Sequence, residues 1–132
     1  MRRWAVLIAF CLCQVAVAAQ DSFPKLAPEE LKQMVDDKVR MFFLDVREPA
    51  ELEEAGTLEG YVNIPVGQVE SRMGEIPKEV QLVVACRSAS RAARTARLLL
   101  KNGYKDIRTA AMLEYKAKGY PLIYPKAEEK NQ

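Results

Sequence analysis

The stretch VVACRSASRAARTARLLLKNGY (residues 83–104) decides how the rest of the chain is read. It begins as an apolar run, breaks at a cysteine followed by small and basic residues, and resumes with helical spacing. Residues 81–85 (QLVVA) therefore read as a strand covered on both faces. From Ser88 to Lys101, Ala89, Ala92, Ala93, Ala96, Leu99 and Leu100 fall along one side and Arg94, Arg97 and Lys101 toward the other, the pattern of a helix with Asn102 and Gly103 as its stop. Cys86 thus stands between a buried strand and a helix.

The same alternation extends outward. Residues 28–37 (PEELKQMVDD) predict a short amphipathic helix, 41–45 (MFFLD) a buried strand, 49–56 (PAELEEAG) a helical turn and 61–65 (YVNIP) a short strand. Residues 66–76 (VGQVESRMGEI) have Val66, Val69 and Met73 at helical spacing between Pro65 and Pro77. Residues 106–109 (DIRT) predict a weak strand and 112–118 (MLEYKAK) a last helix. Repeated strand-then-helix order predicts an α/β domain with a mainly parallel central sheet flanked by helices.

The first 19 residues stand apart. Arg2 and Arg3, the apolar run from Trp4 to Cys13, and Ala16, Ala18 and Ala19 make the three-part layout of a signal peptide. The run is shorter than the roughly 20 residues of a comfortable membrane span, and Phe10 and Leu12 are larger than the residues preceding a lipoprotein cysteine. The expectation is a signal peptide over 1–19, a mature domain over 20–126 and a frayed tail over 127–132. The product would be periplasmic or secreted, with no stable membrane insertion once the leader is lost.

Cleavage changes the counts. The chain of 132 residues has 20 basic and 18 acidic residues and three cysteines; loss of 1–19 takes Arg2, Arg3, Cys11 and Cys13, leaving 18 basic against 18 acidic residues and Cys86 alone. Balanced charge without basic runs argues against a nucleic-acid partner. One cysteine in a chain without histidine is a poor zinc ligand set, so neither a metal nor another cofactor is expected. An unpaired exported cysteine is a partner for another chain, an inert core residue or a reactive thiol.

Its address favours the third. The carboxyl end of a parallel sheet is where α/β proteins place ligands. A loop CRSASR would turn backbone N–H groups inward, and the following helix adds partial positive charge. With Arg87 and Arg91 close by, such a seat favours a thiolate and binds an anion joined to it. The spacing from Cys86 to Arg91 is C-x4-R, tighter than the C-x5-R of cysteine phosphatases and related arsenate reductases, and it suits one added sulfur better than a phosphoryl group. Asp45, at the same sheet end beside Arg47 and Glu48, is expected to support the loop rather than react.

Four blocks, LDVREPAEL (44–52), GTLEGYVNIP (56–65), VVACRSASRAARTARLLLKNGY (83–104) and MLEYKAKGYPL (112–122), together resemble a single-domain rhodanese, similar to small exported rhodaneses of the phage-shock type. The resemblance implies a rhodanese-like fold and a persulfide on Cys86, formed from a small-molecule sulfur donor such as thiosulfate and passed to cyanide or a thiol. By matching positions, Arg87 and Arg91 would hold donor and persulfide charge with the backbone N–H groups of Ser88, Ala89 and Ser90. It also implies an alternative, a sulfur carrier, sensor or partner-binding module without turnover. The chain departs from the family at Thr57, often histidine, at Ala110 and Ala111, often a glycine pair, and in the loop, where Ala89 replaces glycine and Ala92 serine. If Ala89 takes positive φ, the strain is on the order of 1 kcal/mol.

Overall fold

The computed structural model describes residues 23–126; the expected leader over 1–19 and tail over 127–132 lie outside them. The elements, in order, are α1 (Pro28–Asp36), β1 (Phe42–Asp45), α2 (Pro49–Ala55), β2 (Val62–Asn63), β3 (Leu82–Cys86), α3 (Ser90–Lys101), β4 (Ile107–Ala111) and α4 (Met112–Ala117). The sheet has the order β2-β1-β3-β4 and every pairing is parallel. The α/β class and the parallel sheet are as the sequence predicts.

All five residues of β3 are buried, because it lies between β1 and β4 and both its faces are covered. The two-residue period of a strand then divides its side chains. Val83 and Ala85 join Leu31 of α1 and Tyr115 of α4 in one cluster. Leu82, Val84 and Cys86 join Ala92, Ala96 and Leu99 of α3 in the other. Cys86 therefore points to the layer that contains α3, whose small inner residues allow the helix to lie close against the sheet.

Residues 66–76 do not form the continuous helix that their spacing predicts. They make two 3-10 turns, Val66–Gln68 and Met73–Glu75. Gly67 and Gly74 each disfavour a helix interior by about 1 kcal/mol, and the Tyr104 hydroxyl holds the second turn at its end, 3.0 Å from Met73 O and 2.7 Å from Ile76 O. The hydrophobic spacing still serves its purpose, since Val69 and Ile76 are buried in the α3-side cluster.

At the other edge, β4 is longer than the weak strand expected over 106–109. Ala110 and Ala111 continue the pairing opposite Ala85 and Cys86. Residues ahead of α1 brace it from outside: Leu26 N donates to Thr109 O at 2.8 Å and Thr109 N to Pro24 O at 3.0 Å. The α2 helix ends at Gly56, with φ +80 and ψ 163, a conformation open essentially to glycine alone. A Cβ there would stand 3.0 Å from Leu122 Cβ. None of the described helices is long and apolar enough to cross a membrane.

Candidate active site

Strand β3 delivers Cys86 to the edge of the sheet, and residues 87–89 turn the chain into α3. The turn is made by Ala89, which takes a left-handed conformation (φ 73, ψ −5) as the residue before the helix. Helix α3 consequently starts at Ser90 rather than at the Ser88 suggested by the spacing. Its first turn folds back over the cysteine: Ala92 N–H points to Cys86 Sγ at 3.4 Å. That amide is one of the donors that a helix leaves unpaired at its N-terminus, where the dipole also favours negative charge. The backbone N–H groups of Ser88, Ala89, Ser90 and Arg91 find no acceptor among the described residues. Cys86 is 0% exposed, so the loop closes over the thiol.

The five residues assigned to anion binding are brought to one place, with distinct environments. Arg87 is exposed, and its carbonyl accepts a hydrogen bond from Leu113 N at 3.0 Å, which ties the loop to the first turn of α4. Its side chain lines a cleft of about 530 Å³ shared with Arg47, Glu51, Glu54, Met112 and Lys116. The cleft adjoins the loop, but Cys86 does not line it. Ser88 and Ser90 are exposed, with their hydroxyl oxygens 3.4 Å apart. Arg91 is half-buried and bound to Glu51 by two parallel hydrogen bonds, Nη1 to Oε2 at 2.8 Å and Nη2 to Oε1 at 2.7 Å.

Glu51 escaped the sequence reading. It sits three residues after Glu48, and its Oε2 also accepts from Glu48 N at 2.8 Å, so it serves both the start of α2 and the start of α3. The i to i+3 spacing after Glu48 signals the first role. Nothing in the letters signals a partner 40 positions away. The Arg91 guanidinium lowers Glu51 from 4.5 to about 2 and is itself raised, chiefly by the same hydrogen bonds.

Behind the loop lies a fully buried charge pair. Asp45 ends β1 opposite Ala85, the residue before Cys86. Its Oδ1 accepts from Arg47 Nε at 2.9 Å, and its Oδ2 from Arg47 Nη2 at 2.6 Å and from Thr57 Oγ1 at 2.8 Å. Arg47, 2% exposed, also donates to Gly56 O at 2.8 Å, while Asn63 Nδ2 bridges the carbonyls of Asp45 and Arg47 at 2.9 and 2.8 Å. Such a pair holds only when its remaining donors and acceptors are met, and here no buried side-chain polar atom among the described residues lacks a partner. Thr57, at the position where histidine is common in the resembled family, supplies one of those bonds.

Residues 27–111 match the rhodanese-like domain family. The chain belongs to that family. Among curated relatives, "Putative sulfur carrier protein YrkF" of Bacillus subtilis is 37% identical over 86 residues, covering 65% of this chain and 46% of YrkF. The chain thus spans less than half of YrkF. "Sulfurtransferase" of Allochromatium vinosum is 28% identical over 99 residues, covering 74% of this chain and 92% of the relative. A rhodanese-related protein from Thermoplasma volcanium has the same fold, with a TM-score of 0.69 at 22% identity over 78% of this chain and 100% of that one.

Two consequences of this rhodanese site can be measured. Replacing Ala89 by glycine relieves the left-handed strain but loosens the unfolded chain, and the net effect expected is a stabilisation of roughly 0.5–1 kcal/mol in urea denaturation. A loss of roughly 0.5–1 kcal/mol, the full unfolded-state cost of glycine, would mean that the turn is not strained. For Glu51, the folded carboxyl titrates below its unfolded value of 4.5, so its contribution is complete above that pH and is lost as pH falls toward about 2. Both side chains are partly exposed, which limits the contribution to about 1 kcal/mol. The stability difference between wild type and Glu51→Gln should therefore be constant at neutral pH and shrink on acidification; a difference independent of pH contradicts the pairing.

Proposed function

We propose that this protein is an exported sulfurtransferase that carries sulfane sulfur as a persulfide on Cys86. The observation that carries the reading is the seat of Sγ, within reach of Ala92 N–H in the first turn of α3 and at the start of a loop whose residues 88–91 have amides without acceptors among the described residues. The Cys86 thiolate attacks the outer sulfur of thiosulfate; the Cys86–sulfur bond forms, the sulfur–sulfur bond of the donor breaks, and sulfite leaves with the electron pair. The amides of Ser88, Ala89 and Ser90, with the charges of Arg87 and Arg91, stabilise the negative outer sulfur. Cyanide or a thiolate then attacks that sulfur, and Cys86 leaves as the thiolate, ready for another cycle. Asp45 takes no part in bond making and holds Arg47 and the sheet end in place.

The layout of residues 1–19 supports a periplasmic or secreted location, where a single cysteine finds no partner within its own chain. A second reading, a carrier or sensor that loads sulfur without turnover, draws support from the altered loop, in which Ala89 takes the left-handed conformation that glycine adopts without strain.

Intact-mass measurement on the secreted protein tests the proposal. Thiosulfate should add the mass of one sulfur to wild type and none to Cys86→Ser, and cyanide should remove it with release of thiocyanate. The same spectrum reads whether residues 1–19 are absent. No gain in mass would end the persulfide reading, whereas a gain that cyanide and thiols leave in place would establish the carrier instead.

A further inference from the structure

We propose that the outer face of α3 is a docking surface for a protein thiol acceptor that is acidic around its cysteine; the inference rests on the persulfide reading above. Helix α3 contains no acidic residue. At about 100° per residue, Ser90, Arg94, Arg97 and Lys101 fall within roughly 60° of one another on its outer side. All four are exposed. Neither Arg94, Arg97 nor Lys101 has an ion-pair partner among the described residues. The row extends roughly 16 Å from the catalytic loop, with Leu100 42% exposed along its flank.

The charge of this chain is segregated around the loop. Residues 48–59 carry Glu48, Glu51, Glu53, Glu54 and Glu59 and no basic residue, while 87–101 carry five basic residues and no acid. The two regions meet where Glu51 grips Arg91, beside the cysteine loop. Beyond that pair the α3 row continues with cations alone, from Arg94 to Lys101.

That arrangement selects the occupant. Cations on the convex side of a helix diverge, so they do not close around a small anion such as thiosulfate. A long polyanion would be repelled by the glutamates across the loop. A protein surface whose acidic patch is limited to the part that meets α3 gains from the cations there and is kept off residues 48–59 by like charge, which orients it so that a thiol near the acidic patch is held over the loop.

The test uses the full protein and a synthetic cysteine peptide with a glutamate-rich flank, the same peptide with lysines in place of the glutamates, and free cysteine. At low ionic strength, persulfide transfer to the glutamate peptide should exceed transfer to the lysine peptide by about tenfold, and salt should erase the difference. In the variant Arg94→Glu, Arg97→Glu, Lys101→Glu the preference should invert while transfer to free cysteine stays unchanged. Binding is read separately by fluorescence anisotropy with serine in place of the peptide cysteine. Sulfur loading with no peptide preference, or a preference untouched by the triple variant, overturns the docking surface and leaves the persulfide reading intact. Selective peptide binding without sulfur loading keeps the surface and rejects the chemistry.

Discussion

The structure depends on one placement, that of Cys86 at the last position of a strand buried on both faces, with three residues between it and a helix. Strand alternation sends its side chain toward the α3 layer. The left-handed turn at Ala89 then brings the first helical turn back over it, so that Ala92 N–H meets Sγ. Neither device works alone. A cysteine one residue earlier would face the α1 and α4 layer, and a chain without the turn would carry the helix past the thiol rather than over it. Ala89 accordingly holds a conformation that alanine disfavours, because packing of β3 and α3 leaves the short loop no other route.

Two ion pairs of different character secure this placement. The Asp45–Arg47 pair is wholly buried and joins β1, the end of α2 and β2 through Thr57, Gly56 and Asn63. Loss of either partner would strand a charge in the interior, at a cost of about 3–5 kcal/mol. Its value is therefore positional, since it fixes the sheet end from which the cysteine loop departs. The Glu51–Arg91 pair lies nearer solvent and fastens α2 to the start of α3. It occupies two nitrogens of an arginine that the sequence assigns to anion binding. Arg91 thus acts in the site as a fixed charge, while Arg87, exposed at the mouth of the cleft, is the more adaptable of the two.

The features legible in the sequence are those set by short-range pattern. Apolar runs located β1 and β3, small residues at helical spacing located α3, and the abrupt change at Cys86 located the loop. The departure at Ala89 also marked the turn, since that residue does take positive φ. What escaped depended on contacts between distant segments. The second of the two 3-10 turns is held by Tyr104 at the carbonyls of Met73 and Ile76, and β4 runs on to Ala111 because Cys86 offers it a neighbour. Glu51 looked like one acid among several in α2 until the fold put Arg91 opposite it. The amide that hydrogen-bonds the thiol belongs to Ala92, beyond the loop residues Ser88 to Ser90 that the pattern singles out.

The most direct test of the account is a crystal structure of the protein after treatment with thiosulfate. The account predicts one additional sulfur on Cys86 Sγ, enclosed by the N–H groups of residues 88–91, with α3 still beginning at Ser90. An added sulfur turned away from those amides into the cleft beside Arg87 and Met112, or a loop unwound to admit it, would contradict the claim that the helix start is the seat of the persulfide.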